Sequence, residues 1–191
     1  MSIYRWMKGL RPRELPFRRR LTRAAVALIY RHSEADGVEL LFIQRAQRKG
    51  DPWSGDMAFP GGRLQPNDAT PRAAAERETL EETGINLKRA GRFHARLSDL
   101  ITRQHNRWRP MVVTPYVYQW TGRQRETLNH EVEETVWISL SYLADPDHQG
   151  TLPFRTPLGT LNLPCCRYQG YCIWGLSYSM LQELLASKLA L

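Results

Sequence analysis

The sequence predicts a mixed α/β domain in which a sheet and helices pack in layers. Apolar runs typical of strands lie on both sides of one central helix, at residues 24–30 and 38–45 before it and at 110–120 and 134–140 after it. The chain has 191 residues, of which 42% are hydrophobic, and this suits a single domain with a sizeable core. Because no run of about 18 apolar residues occurs, we expect no membrane-spanning helix.

The central helix is predicted from the residues at its two ends. Thr70 can accept a backbone hydrogen bond as the N-cap, and Pro71 suits the first helical position. Gly84 can end the helix because glycine readily adopts a left-handed conformation. On this helix we expect Ala73 and Leu80 to point toward the core.

The other elements are predicted from turn-forming residues and from the spacing of apolar residues. The Pro-rich stretch 145–164 is assigned neither helix nor strand. The predicted order is a loop at 47–56, a strand at 57–59, a loop at 63–70, a strand at 91–100, a basic loop at 101–109, a short helix at 141–145 and a final helix near 176–189.

The positive charge is concentrated at the N-terminus. Residues 1–31 hold nine Lys or Arg residues and one acid, so they account for the whole net charge of +8. We therefore divide the chain into a basic arm, residues 1–21, and a domain, residues 22–191. The arm could contact a polyanion or an acidic membrane, serve as an organelle-targeting segment, or be a solvated tail. With few aromatic residues in it, no nucleic-acid or membrane partner is assigned.

The cysteines predict no metal or redox site. Cys165, Cys166 and Cys172 fit no CxxC pattern and have no histidine close behind them. Reduced thiols are typical of a cytoplasm-like compartment, and the N-terminus has no apolar core of a secretory signal. The expected location is therefore cytoplasmic, with organelle targeting by the arm as the alternative.

Three carboxylates crowd one face of the central helix. At 100° per residue, Glu78, Glu81 and Glu82 fall within an arc of about 100°. Glu78 and Glu82 repel each other at this spacing, and the negative end of the helix dipole is unfavourable to both. Arg77 can pair with Glu81, so a further positive charge is expected over this face. Clustered carboxylate oxygens suit Mg²⁺ or Mn²⁺, although Glu-rich helix faces are also commonly just solvated.

The segment before the helix favours the metal site. Residues 59–62, FPGG, predict a strand that runs into two glycines, where the backbone can approach a ligand closely. Neither a GxxxxGK[ST] nor a GxGxxG motif is present, so a phosphate would be held by metal and arginine. The only candidate nucleophile considered, Ser54, lacks a GxSxG context.

These residues resemble a Nudix box, whose pattern is G-x5-E-x7-R-E-U-x-E-E-x-G-U with U apolar. The second half matches through Arg77, Glu78, Glu81, Glu82 and Gly84, followed by Ile85, with Thr79 in place of an apolar residue. In the first half, five residues after Gly62 lead to Asp68 instead of Glu, and eight residues then separate Asp68 from Arg77.

An Asp with longer spacing is similar to the coenzyme A pyrophosphatase branch of this family. Residues 41–46, LFIQRA, are similar to that branch's LLTxRS element, with Ile43 in place of Thr and Ala46 in place of Ser. Residues 131–140 and 173–181 resemble later elements of the branch. The resemblance covers about residues 22–189.

The resemblance implies an α/β/α sandwich with a mixed central sheet, and hydrolysis of a nucleoside diphosphate linked to another group. It implies that Glu78 and Glu82 bind Mg²⁺ or Mn²⁺, with help from Glu81 and from the carbonyl of Gly61 or Gly62. Arg77 is expected to orient a carboxylate. Such metals neutralise phosphate charge and lower the pKa of a bound water.

The general base is left open between several acids. Family members use either a box glutamate, here Glu81 or Glu82, or an acid from a later loop, for which Glu131 and Glu134 are the candidates. An acidic segment before a strand is also commonly just solvated.

Four residues are candidates for substrate contact: Arg45, Gly61, Arg63 and Arg109. Arg45 follows a strand that leads toward the box. In the basic loop, Arg107 and Arg109 could bind phosphate and Trp108 could stack on a base, although a plain surface loop is the alternative.

The predicted partner is a small nucleotide-type molecule, with coenzyme A or a derivative first and ADP-ribose, dinucleotides or nucleotide sugars behind it. A homodimer is a candidate assembly, since dimers are common in the family. A different class of function stays open, namely a non-catalytic Nudix scaffold that binds a nucleotide or a polyanion.

Overall fold

The computed structural model describes residues 11–50, 53–103, 109–156 and 159–189. The strands are β1 (Thr22–Ser33), β2 (Gly37–Arg45), β3 (Met57–Ala58), β4 (Gly61–Arg63), β5 (Gly91–Arg96), β6 (Leu100–Arg103), β7 (Pro110–Trp120), β8 (Val132–Ser139), β9 (Gln149–Thr156), β10 (Gly159–Tyr168) and β11 (Tyr171–Trp174). The helices are α1 (Pro71–Thr83), α2 (Leu87–Ala90), α3 (Leu140–Ala144) and α4 (Gly175–Leu189). None of the described helices is long and apolar enough to cross a lipid bilayer.

Eight strands of the described residues form one mixed sheet. Its central order is β3-β2-β1-β7-β5, while β4, β6 and β8 pair with β1, β7 and β2. β1 and β7 run parallel, with Thr22 beside Met111 and Tyr30 beside Gln119, whereas the other pairs are antiparallel. β9, β10 and β11 form a second, antiparallel sheet.

Side chains of β1 alternate between two apolar cores, one on each face of the main sheet. Leu28 and Tyr30 point into a core that includes Leu181 and Leu184 of α4. Ala25, Ala27 and Ile29 point into a core that includes Ala74 and Ala75 of α1. Helices therefore cover both faces, which confirms the predicted α/β/α sandwich with a mixed sheet.

The central helix has the predicted bounds. The hydroxyl of Thr70 accepts a hydrogen bond from the Ala73 backbone N–H at 3.1 Å, and Gly84 has a left-handed φ of 73°. The predicted orientation of Leu80 is wrong, because this side chain is 44% exposed. Small residues face the sheet instead, and buried Thr79 donates its hydroxyl to the Ala75 carbonyl. Alanine and threonine let the helix lie close to β1.

Two stretches differ from the predicted elements. The single strand expected at 91–100 is two strands, β5 and β6, because residues 97–99 turn into the core. The Pro-rich stretch forms β9 and β10, where Pro153 lies opposite Asn162 and Pro164 lies opposite Thr151. Proline is tolerated in Pro153's strand because β9 is at the edge of the small sheet.

Part of the basic arm is bound to the domain. The backbone N–H of Arg13 donates to Ser98 Oγ and that of Leu15 to Asp99 Oδ2, each at 3.0 Å. Arg18 adds an ion pair to Asp99 at 3.1 Å. We call residues 13–18 the strap. Its contacts favour a segment held against the domain over a free tail.

Candidate functional site

A cleft of about 1410 Å³ brings the predicted acids and glycines together. Gly61 and Gly62 of β4 contribute one part of its wall, and the end of α1 contributes another. Further acids come from the segment before β8 and from the turn before β3. The acidic lining residues are Asp56, Glu78, Glu81, Glu82 and Glu131.

Glu82 is the most buried acid of the cleft, with a relative exposure of 4%. Its Oε2 atom accepts a hydrogen bond from the Gly61 backbone N–H at 2.8 Å. Burial raises the pKa of Glu82 to about 8, and the charges of Glu78 and Glu131 act in the same direction. The Gly61 N–H and the Arg45 charge oppose this shift only in part. The site therefore favours a cation close to this carboxylate.

Glu78 occupies space that exists only because residue 62 is glycine. A Cβ atom at Gly62 would lie 2.5 Å from the Glu78 Cδ atom and 2.6 Å from Oε1. Burial raises the pKa of Glu78, whereas its hydrogen bond from Arg77 works against this shift. The paired glycines thus allow two carboxylates of α1 to meet the backbone of β4, Glu82 at Gly61 and Glu78 at Gly62.

Arg77 is the centre of an ion-pair network beside the cleft. Its Nη1 atom donates to Glu78 at 2.8 Å and to Glu81 at 3.0 Å. Its Nη2 atom donates to Asp68 at 3.0 Å and to the Arg63 carbonyl at 3.1 Å. The hydrogen bond from Arg77 is the main cause that holds the pKa of Asp68 below its usual value. Asp68, which departs from the box pattern, therefore fixes the arginine that reaches both glutamates.

The two later acids differ in position. Glu131 lines the cleft with a half-exposed side chain and forms an ion pair with Arg48 at 3.2 Å. Glu134 lies in β8, accepts a hydrogen bond from the Tyr171 hydroxyl, and is not among the residues that line the cleft. Of these two acids, the cleft contains only Glu131.

The predicted substrate-contacting arginines separate into two groups. Arg45 and Arg63 line the cleft. Arg109 is exposed and is not among its lining residues. Arg107 and Trp108 lie outside the described residues, so their expected contacts stay predictions.

Metal binding is consistent with the oxygen donors of the site. Within the described ranges, no three His, Cys, Asp or Glu side chains converge as a ready-made cage for an ion. Mg²⁺ usually takes one or two protein carboxylates and fills its other positions with water and substrate phosphates. Buried Glu82 and neighbouring Glu78 fit that donor set, because burial raises the pKa of both and a bound cation would favour their anions.

One wall of the cleft could not be predicted from the sequence. This wall is largely apolar and is contributed by residues after 162, which lie on β10, β11 and the start of α4. Its aromatic and apolar members are Leu163, Pro164, Trp174, Leu176 and Tyr178, and Gly175, Ser177 and Ser179 also line it. Trp174 belongs to residues 173–181, which resemble a later element of the coenzyme A branch, but it ends β11 and nothing in the sequence around it indicates a cleft. All three cysteines are free, with Cys165 and Cys166 buried in the small sheet.

Most of the chain is similar to known proteins. The NUDIX domain family matches residues 20–155. A probable nudix hydrolase from Schizosaccharomyces pombe is 30% identical over 70% of this chain and 45% of its own length. The mitochondrial coenzyme A diphosphatase of Mus musculus is 28% identical over 79% of this chain and 70% of its own length. The chain spans 34% and 45% of the length of two Schizosaccharomyces pombe relatives.

A solved structure shares the fold. The Caenorhabditis elegans Ap4A hydrolase binary complex has a TM-score of 0.59 at 20% identity, covering 90% of this chain and 100% of that one. At this identity the likeness concerns the fold alone. The family match extends over more than two thirds of the chain and contains β4, α1 and all the box carboxylates. The chain therefore belongs to the NUDIX domain family.

Proposed function

We propose that the chain is a divalent-metal-dependent pyrophosphohydrolase acting on a nucleoside diphosphate linked to another group. The observation that carries this proposal is the buried carboxylate of Glu82 beside the Gly61 backbone, in the lining of a cleft large enough for a nucleotide. A protein gains nothing structurally from a buried acid whose anion is disfavoured, so the arrangement indicates a site for a cation.

Glu78 and Glu82 would hold the ion, with Glu81 and the Gly61 or Gly62 carbonyl as further donors. When bound, Mg²⁺ or Mn²⁺ supplies charge neutralisation at the diphosphate and acidifies a water molecule. Arg77 orients the glutamates through its network with Asp68. Arg45 and Arg63, both lining the cleft, bind phosphate oxygens.

We assign Glu131 as the general base, which accepts the proton of the attacking water. Support comes from its position on the cleft wall and from its half-exposed carboxylate, which a water molecule can reach. The ion pair with Arg48 holds this side chain in place. Glu81, the most exposed of the box acids, is the rival for this role.

Coenzyme A or a derivative is the first substrate to test. Support comes from the similarity to the mouse coenzyme A diphosphatase and from the Asp68 spacing. Of the two departures from the LLTxRS element, Ile43 is buried in β2, whereas Ala46 donates its backbone N–H to the Glu131 carbonyl and so lies beside the assigned base.

The experiment is a phosphate-release screen in which a coupled phosphatase detects phosphomonoester products. The panel contains coenzyme A, an acyl derivative, ADP-ribose, a dinucleotide and a nucleotide sugar, each with and without Mg²⁺ or Mn²⁺. We expect metal-dependent release from at least one compound. Silence across the panel, together with measurable nucleotide binding, would instead identify a non-catalytic binding scaffold.

A further inference from the structure

The cleft has a wall that the catalytic residues do not use. It is formed by β10, β11 and the start of α4, which lie beyond residue 155, where the family match ends. This wall therefore belongs to the part of the chain that is outside the matched family domain. It joins the same cleft as Glu82, so a molecule bound through its diphosphate can also contact this wall.

Trp174 is the most firmly held aromatic residue of this wall. Its indole Nε1 atom donates a hydrogen bond to Asp56 Oδ1 at 3.0 Å. The Phe154 ring lies against the indole, with a centroid distance of 5.6 Å. Asp56 is held in turn, because its carbonyl accepts the Arg45 N–H at 3.0 Å and its N–H donates to the Trp53 carbonyl at 3.2 Å.

These contacts fix the plane of the indole relative to the phosphate-binding end of the cleft. The only polar atom of the Trp174 side chain is already bonded to Asp56, so what the ring offers a ligand is its apolar π surface. A rigid, oriented ring suits another planar ring. A flexible alkyl chain could use any apolar wall and would not require a fixed orientation.

We propose that Trp174 is a substrate-recognition residue that stacks on the nucleobase, and that Asp56 is the residue that positions it. The assignment rests on the proposed function, since it takes the diphosphate to lie at Glu78 and Glu82. It deepens that function by stating which end of the substrate faces the wall beyond residue 155. The base faces Trp174, and the group linked to the diphosphate lies elsewhere.

Equilibrium binding of AMP and of ribose 5-phosphate to the full chain, in buffer with Mg²⁺, tests this assignment. The two compounds share a phosphate and a ribose, and only AMP carries a base. We expect AMP to bind the wild type about tenfold to a hundredfold more tightly than ribose 5-phosphate, because stacking contributes on this scale. Trp174→Leu should reduce the difference to about threefold or less and leave ribose 5-phosphate unchanged.

Four further variants separate recognition from structure. Trp174→Phe keeps a ring and should retain part of the difference. Asp56→Asn keeps an oxygen acceptor for the indole N–H and should retain most of the difference in affinity between AMP and ribose 5-phosphate. Asp56→Ala removes the acceptor and should lose this difference. Trp137→Leu is the matched control, since Trp137 bonds to Glu126 outside the cleft and should keep the full difference.

Equal affinity of the wild type for AMP and ribose 5-phosphate would overturn the assignment. An equal loss of affinity for AMP and for ribose 5-phosphate in a folded Trp174→Leu protein would also overturn it. Hexyl phosphate tests whether the wall binds an apolar chain instead of a base. If Trp174→Leu bound hexyl phosphate more weakly but AMP as tightly as the wild type, the assignment would also be overturned. Because no turnover is measured, a failure of the hydrolase proposal alone would leave the AMP preference intact.

Discussion

Glu82 is a carboxylic acid that the fold removes from water and ties to one backbone N–H. The Gly61 N–H alone does not offset the lost hydration, so burial raises the pKa of Glu82 to about 8. A divalent cation would reverse this preference by favouring the anion. Metal binding at neutral pH should therefore release a proton from this side chain.

Removal of the Glu82 charge should abolish most of the activity without unfolding the protein. We expect Glu82→Gln to lower kcat by at least about a hundredfold, because glutamine is nearly the same size but is a poor ligand for Mg²⁺. The measurement is steady-state turnover of the best substrate from the screen, with circular dichroism as the fold check. Glu133→Gln is the control, since Glu133 is exposed on β8 and outside the cleft. Unchanged turnover in Glu82→Gln would refute the assigned role of this residue.

The same substitution should stabilise the protein when divalent ions are absent. The folded-state pKa of Glu82, about 8, lies above its ordinary value of 4.5. Glu82 therefore lowers the free energy of unfolding least below pH 4.5. Its unfavourable effect grows as the pH rises through 8. We expect Glu82→Gln to unfold at the same denaturant concentration as the wild type near pH 4. At pH 9 it should be more stable by on the order of a few kcal/mol.

Urea unfolding in EDTA at the two pH values measures this difference. Added Mn²⁺ should then stabilise the wild type more than Glu82→Gln at pH 9. A variant that is less stable than the wild type at pH 9 in EDTA would show that Glu82 is not a destabilising acid.

At the scale of elements, the site depends on how closely β4 approaches α1. Both glycines of β4 are needed, but for different reasons. Gly61 has a φ of 152°, and a Cβ there would lie 2.3 Å from the Ala25 carbonyl oxygen, which is backbone of β1. A Cβ atom at Gly62 would instead clash with the Glu78 carboxylate, which is the end of a flexible side chain and can move aside.

The two glycine-to-alanine variants should therefore fail differently. Gly61→Ala should lower the stability by a few kcal/mol, roughly the scale of an overpacked core, because the β1 backbone cannot move aside. Gly62→Ala should change the stability little but displace Glu78, and so reduce metal-dependent turnover. Thermal unfolding and kcat measured on both proteins test the pair. Equal effects of the two variants on stability would contradict the different roles assigned to Gly61 and Gly62.

One buried acid, Asp99, accepts two of the contacts that attach the strap to the domain. Besides Leu15 and Arg18, Asp99 accepts hydrogen bonds from Arg96 at 2.5 Å and from the Thr114 hydroxyl at 2.6 Å. Burial alone would raise the pKa of Asp99, but the hydrogen bonds from Thr114, Leu15 and Arg96 outweigh it and hold this pKa below its ordinary value.

Loss of Asp99 should release the strap. Asp99→Ala removes one carboxylate from Arg18 and Arg96, which keep only the more exposed Glu14, and we expect a loss of about 1–3 kcal/mol of stability. Limited trypsin digestion should then cut after Arg18, Arg19 or Arg20 faster than in the wild type. Asp147→Ala, on an exposed 3₁₀ turn, is the control. Cleavage at the wild-type rate in Asp99→Ala would show that other contacts hold the strap.

For the whole molecule, predictions from sequence held where the signal is local. The bounds of α1 follow from Thr70, Pro71 and Gly84, each of which acts within one turn of itself. β7 was predicted at residues 110–120 and is observed as Pro110–Trp120, because an unbroken apolar run marks a strand buried on both faces.

The sequence-based predictions were wrong where the position of a residue depends on partners that are distant in the sequence. The helical wheel gave the spacing of the α1 side chains but not their distance from the sheet, so Leu80 was assigned to a core that small residues fill instead. β9 and β10 were missed because proline interrupts their pattern, and only their mutual pairing makes them strands. Asp56 and Trp174 are separated by 118 positions, so no local signal could join them.

The whole molecule can then be described as two sheets that meet at one cleft. The main sheet supplies Arg45 and Arg63 and α1 supplies three carboxylates, while the small sheet and the start of α4 supply aromatic and apolar residues. The central claim is that the carboxylates of α1 bind a divalent ion together with a diphosphate.

Titration of the metal-free protein with Mn²⁺, followed by calorimetry with and without methylenediphosphonate, tests that claim most directly. A Glu78→Gln, Glu82→Gln double variant is measured in parallel. We expect Mn²⁺ to bind the wild type, to bind more tightly when the diphosphonate is present, and to bind the double variant at least about tenfold more weakly. No Mn²⁺ binding to the wild type, or equal binding to the double variant, would contradict the account.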